Sequence, residues 1–119
     1  MIVALVTIAA GAAGAVIRYL VSRALAGRRG FPWAVLVVNA VGSGIGGAIV
    51  GLATSGGVSG DIRLILLSGL CGGLTTFSTW SVETIELVHS GRWRAAVLSV
   101  VANLVLGFAA AAAGFLLTG

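Results

Sequence analysis

Four apolar runs, at about residues 2–25, 33–53, 61–89 and 94–117, take up nearly all of this chain. Each meets the roughly 20 residues that a helix needs to cross a hydrocarbon core of about 30 Å. Inside a bilayer no water can pair a free backbone amide, so such a run has to fold as a helix. The connections AGRRGFPW, TSGGVSGD and SGRW are short, which forces neighbouring helices to run antiparallel. Charge agrees: 8% of the residues are charged and 59% hydrophobic, whereas a soluble domain carries roughly 25% charge. The exterior must face lipid. The expectation is an all-α, multi-pass membrane protein with a single four-helix transmembrane domain over residues 1–119, placed in the cell's inner (plasma) membrane.

The net charge of +4 comes from seven arginines against three acids. The arginines are scattered at segment ends, so they read as topology signals and not as a nucleic-acid arm. Cys71 is the only cysteine, which leaves no internal disulfide and no metal-ligand spacing; in an apolar helix it reads as a small packing residue. Ala24-Leu25-Ala26 has the look of a signal-peptidase site. However, nothing basic precedes the first run and Arg18 interrupts it, so the run reads as a resident span. GSGIGG at Gly42–Gly47 fits a dinucleotide-binding pattern, but it lies within a membrane segment with no strand before it. It reads as helix packing. No nucleophile, metal cluster or cofactor motif supports an enzyme.

Glycines within the helices, among them Gly11, Gly14, Gly42, Gly44, Gly46, Gly47 and Gly51, let backbones approach closely where no hydrophobic force draws helices together. Four thin helices still bury little surface against one another. At least a dimer is expected.

The third run interrupts itself. GLCGGLTTFSTWS (residues 69–81) puts three glycines and five hydroxyls at mid-membrane, with the helix midpoint near Thr75. Broken backbone at that depth survives only if it is buried in protein or lines a polar cavity. Discontinuous helices there serve ion binding, because carbonyls ending one half can hold a cation and amides opening the next favour an anion. The alternative is a continuous helix whose hydroxyls bond their own backbone.

Other polar residues bear on that choice. Asn39 stands alone in the second run, with Ser43 one turn on. Ser99 and Asn103, four apart, share a face of the fourth. Arg18 lies inside the first. Each asparagine alone suits interhelical bonding; together they suggest a polar route without a buried acid. Glu83 and Glu86 fall in the outer half of helix 3, and Glu86 and His89 read as interfacial. A path rich in uncharged donors suits a small anion that demands hydrogen bonds. Phe77 and Trp80 project from one face just after the interruption. Aromatic edges carry partial positive charge and can attract an anion.

GGLTTFSTWSVE resembles the central motif of the Fluc/CrcB fluoride channels, GG-x-TTFSTFS-x-E. GAAGAVIRY in helix 1 is similar to their glycine-rich opening, and NAVGSGIGG in helix 2 to their N-x-x-G-S-x-x-x-G. The likeness spans all four helices in order. It implies a passive fluoride-specific channel that relieves fluoride toxicity, built as an antiparallel, dual-topology-type dimer. It also implies a structural sodium ion, held by backbone carbonyls of Gly72 and Thr75. Fluoride would pass Asn39, the aromatic box of Phe77 and Trp80, the hydroxyls of Thr76 and Ser78, and a polar track at Ser99 and Asn103. Arg18 would line or support the cytoplasmic vestibule, and Glu83 matches the motif's acid. One departure is plain: position 80 is Trp where the family usually has Phe.

Two rivals belong to other classes. A proton-coupled small multidrug-type transporter has similar length and helix count, but it would need a helix 1 carboxylate that this chain lacks. A purely structural subunit would leave the interruption without a purpose. The partner is left open by the charges: loops 1 and 3 hold Arg23, Arg28, Arg29, Arg92 and Arg94, and the other side only Arg63 beside Asp61. Such bias suits a heterodimer with an inverted paralogue; a homodimer needs near balance.

Overall fold

The apolar runs form helices almost to the residue. α1 (Ile2–Ala24), α2 (Trp33–Thr54) and α6 (Trp93–Thr118) are continuous. The third run is assembled from pieces. A short α3 (Gly60–Arg63) leads into a wider π-helical stretch (Leu64–Cys71) and a closing turn, α4 (Gly72–Leu74). After three residues the chain resumes as α5 (Ser78–His89). The computed structural model describes residues 1–25 and 31–119; the turn at 26–30, with Arg28 and Arg29, lies outside the described residues. Four helical segments, the third counted across its break as Gly60–His89, are long and apolar enough to cross a membrane.

Local chemistry sets the ends. Ser59 precedes α3, and its hydroxyl accepts the Ile62 amide at 3.2 Å, pairing one of the donors that a helix start leaves free. Just past the end of α5 stands Gly91, whose φ of 80° lets the Arg92 amide turn back onto the Leu87 carbonyl at 2.8 Å.

Packing follows the glycines, in two parallel pairs. Along the first seam, α1 lies on the first half of the broken helix. A methyl at Gly73 would collide with the Gly11 carbonyl, and one at Gly14 would sit 2.7 Å from the Leu74 amide nitrogen. Along the second, α2 lies on α6: a methyl at Gly47 would strike the Ala111 carbonyl, and one at Gly114 would strike that of Gly44. GSGIGG therefore sits on a continuous helix as a packing surface. Backbone contact of this kind is how helices gain dispersion energy in lipid.

Few apolar side chains are buried, namely Val35, Leu36, Val38, Ile49, Cys71, Leu74 and Ala96 among the described residues. Large apolar residues such as Leu5, Val16, Val97, Val105 and Leu116 stand exposed, as a surface that meets hydrocarbon requires.

The interruption of helix 3 is real, but it does not fall at the glycine pair. Gly72 and Gly73 are both helical, and the backbone leaves the helix at Thr75, with φ −82° and ψ 157°. Flexibility at Gly73 is not what opens the helix; absence of a side chain there is what lets α1 approach.

Candidate functional site

The break spans Thr75, Thr76 and Phe77, and side chains from two other helices, with two hydroxyls of its own, repair it. Helix geometry would pair the Thr76 amide with the Gly72 carbonyl. Instead it donates to Asn39 Oδ1 at 2.8 Å, while Asn39 Nδ2 donates to the Thr76 carbonyl at 3.1 Å. One amide side chain thus replaces the lost backbone partners. Arg18 Nε donates to the Gly73 carbonyl at 3.2 Å, setting a cation against the negative end of the first half-helix. The Thr76 hydroxyl accepts the Thr79 amide at 3.1 Å and so caps the start of α5. The Thr75 hydroxyl donates to the Cys71 carbonyl at 2.9 Å. Among the described residues, no hydrogen bond reaches the carbonyl oxygens of Gly72 or Thr75.

The network continues into α6. Asn39 Nδ2 also donates to Asn103 Oδ1 at 3.1 Å, and Asn103 Nδ2 to the Ser99 carbonyl at 2.8 Å. Trp80 Nε1 donates to Ser99 Oγ at 3.2 Å. Phe77 and Trp80 meet edge to face, with ring centroids 5.7 Å apart and planes at 69°.

These elements frame a groove of about 270 Å³ lined by Asn39, Thr76, Phe77, Trp80 and Asn103 from the expected set. Phe77 is 75% exposed and stands at its mouth. Three expected residues lie elsewhere. Ser99 is 0% exposed and sits behind the Trp80 indole, so it braces the wall without forming its surface. Ser78 is exposed, with its hydroxyl 3.5 Å from that of Thr76, outside the groove lining. Arg18 faces a second hollow, also about 270 Å³, with Tyr19, Ser22, Thr76 and Thr79. Thr76 is shared by the two.

Ser43 is a groove residue that the sequence reading left off the site. Its place one turn beyond Asn39 was the available signal. Gly72 and Thr75 border a shallow, mostly apolar hollow of about 660 Å³ with Gly42, Gly46 and Phe108. Glu83 and Glu86 line a separate hollow of about 530 Å³ near Phe31, Pro32 and Arg92, away from the break.

The groove offers amides, hydroxyls and aromatic rings, and no carboxylate lines it among the described residues. Such a surface can strip water from a small anion and replace it with hydrogen bonds. Residues 5–115, which include all of this machinery, match the sequence model described as "CrcB-like protein, Camphor Resistance (CrcB)". The chain belongs to the CrcB-like family. This CrcB-like chain is 40% identical over 111 residues to a protein of Thermus thermophilus named "Fluoride-specific ion channel FluC", covering 92% of the chain and 89% of that relative. A protein of the same name from Pyrococcus furiosus is 43% identical over 116 residues, covering 97% and 94%. One from Shewanella is 44% identical over 98 residues, covering 81% and 79%.

Proposed function

We propose that this chain is the subunit of a passive fluoride channel in the cell membrane, exporting fluoride that has entered as HF and dissociated inside. The observation that carries the reading is the acid-free groove at a mid-helix break, in a chain so similar to proteins named fluoride-specific channels. Fluoride is small and strongly hydrated, so its path must supply donors that replace water. The hydroxyls of Thr76 and Ser43 and the amide of Asn103 offer them beside the edges of Phe77 and Trp80. Arg18, in the hollow beyond Thr76, raises the local anion concentration. Membrane potential then drives the anion outward without a coupled proton. A proton-coupled transporter needs a titratable group on the path; α1 carries Arg18 and no acid.

Two parts of the reading concern assembly. The carbonyls of Gly72 and Thr75, unclaimed by hydrogen bonds within the described residues, suit a sodium ion, since half-helix ends and unwound carbonyls are the usual ligands for such a cation. Sodium there would neutralise carbonyl dipoles at the break. The hollow they border is the face proposed for an antiparallel second subunit, either a copy of this chain or an inverted paralogue.

The test is anion release from proteoliposomes. Purified protein, with a paralogous subunit if one is needed, releases fluoride and retains chloride. Equal chloride release, or no fluoride release under any pairing, removes the proposal.

A further inference from the structure

Trp80 is the residue at which the third-helix motif departs from its usual form, and the structure gives the indole nitrogen a specific partner. Its N–H donates to Ser99 Oγ at 3.2 Å, and Ser99 is the one polar side chain among the described residues that is wholly enclosed. Phenylalanine could not make this bond. We propose that Trp80 is a positioning residue: its N–H latches the second half-helix to α6 through Ser99 and is withheld from the anion. This rests on the fluoride-channel reading for its functional consequence.

Three observations lead there. α5 encloses none of its own residues, so packing alone holds it weakly against the rest of the subunit. Among the described residues, Trp80–Ser99 is the one side-chain hydrogen bond joining α5 to α6. Ser99 in turn is tied to the groove, because its carbonyl accepts Asn103 Nδ2 at 2.8 Å and its hydroxyl lies 3.5 Å from the same nitrogen. The latch therefore fixes where the Trp80 ring lies relative to Asn103, one of the groove's amides.

Its chemistry follows. An indole N–H is a single donor. Spent on Ser99, it is not free to serve fluoride, and the rest of the indole carries only C–H groups. The channel thereby keeps an aromatic wall at this position despite the polar atom. In lipid an unpaired N–H would otherwise be costly, so Ser99 also satisfies the indole.

The experiment is a double-mutant cycle on Trp80→Phe and Ser99→Ala, read by fluoride release, with the Trp80 indole ¹⁵N–¹H resonance as a second readout. That resonance is followed in a variant with Trp33 and Trp93 replaced by Phe. If the latch acts as described, Trp80→Phe slows release in the parent. It then changes little once Ser99 is Ala, because both substitutions remove the same bond. The indole resonance moves on Ser99→Ala and stays put when fluoride is added to the parent. Additive effects on release would show that the two side chains act independently, and an indole resonance that shifts with fluoride in the parent would show the N–H to be an ion ligand; either result overturns the proposal. An indole resonance indifferent to Ser99→Ala would overturn it even if no variant conducts. Loss of release in the parent itself instead counts against the channel reading, and the resonance then decides the latch alone.

Discussion

Asn39 and the backbone of Thr76 exchange two hydrogen bonds, 2.8 and 3.1 Å long, across the gap between α2 and the broken helix. An amide side chain presents one acceptor and two donors, so it can stand in for both halves of a missing backbone partner. That is why a residue expensive to place in lipid sits here: it meets the backbone polarity that the break exposes. Its remaining donor goes to Asn103, joining break and groove into one network.

Replacing Asn39 by Asp tests that arrangement. An ionised carboxylate only accepts, so the Thr76 carbonyl and Asn103 Oδ1 each lose a donor worth about 1 kcal/mol and face a negative charge instead. The same charge repels an anion in a narrow path. Fluoride release from Asn39→Asp liposomes is expected to be abolished. Parent-like release would take Asn39 out of the path.

Adjacent glycines should respond oppositely. A side chain at Gly73 would run into the Gly11 carbonyl, whereas at Gly72 the nearest obstacle is the Leu67 carbonyl at 3.9 Å. Gly73→Val is therefore expected to prevent folding, seen as loss of a monodisperse peak in detergent. Gly72→Val is expected to leave the subunit folded and to disturb only assembly, since Gly72 borders the proposed subunit face. Both variants eluting as the parent does would contradict the packing along α1 and that face together.

The Thr76 hydroxyl caps α5, and a lost cap costs about 1 kcal/mol. Thr76→Val keeps the volume and removes the acceptor for the Thr79 amide. A lower midpoint in a thermal scan is expected, with Thr76→Ser restoring most of it. Identical midpoints for Val and Ser would mean that the cap contributes nothing.

Helix number, helix bounds and most of the residues that line the groove were legible because each has a local cause. Hydropathy fixes the spans, and polar residues stranded in apolar runs mark the groove. The break falls inside the stretch 69–81 that the sequence marks, but the residue at which the helix opens was not legible. GlyGly is the more flexible dipeptide in isolation, but α1 packs on Gly73 and holds it helical, while Asn39, 37 residues earlier, draws off the amide of Thr76. The π-helical turn at Leu64–Cys71 has no sequence signal either: Gly69 must fit beneath the Thr7 carbonyl, 2.7 Å from where a methyl would lie. Ser99 shares a face with Asn103, which alone would put it in the groove lining. The indole of Trp80 covers it, and that contact belongs to tertiary structure alone.

Orientation is the last prediction. The Ser55 hydroxyl lies 3.5 Å from the Thr118 carbonyl, which places the C-terminus beside the loop after α2. Arg63 and Asp61 follow that loop at the start of the third span, whereas Arg23, Arg92 and Arg94 flank the opposite ends of the helices, as Arg28 and Arg29 do in the sequence. Arginine bias across short loops sets which face stays cytoplasmic. The arginine-rich ends should therefore lie inside and the C-terminus outside. A chain with so strong a bias is expected to insert one way, and the antiparallel dimer proposed above would then need a second subunit of opposite bias. Expressed alone with a C-terminal fusion, it is expected to activate alkaline phosphatase, which works outside, and to leave green fluorescent protein, which matures inside, dark. Fluoride release should then appear only when an inverted paralogue is co-expressed. Equal signals from both reporters, with release from the chain alone, would show instead that it inserts both ways and pairs with itself.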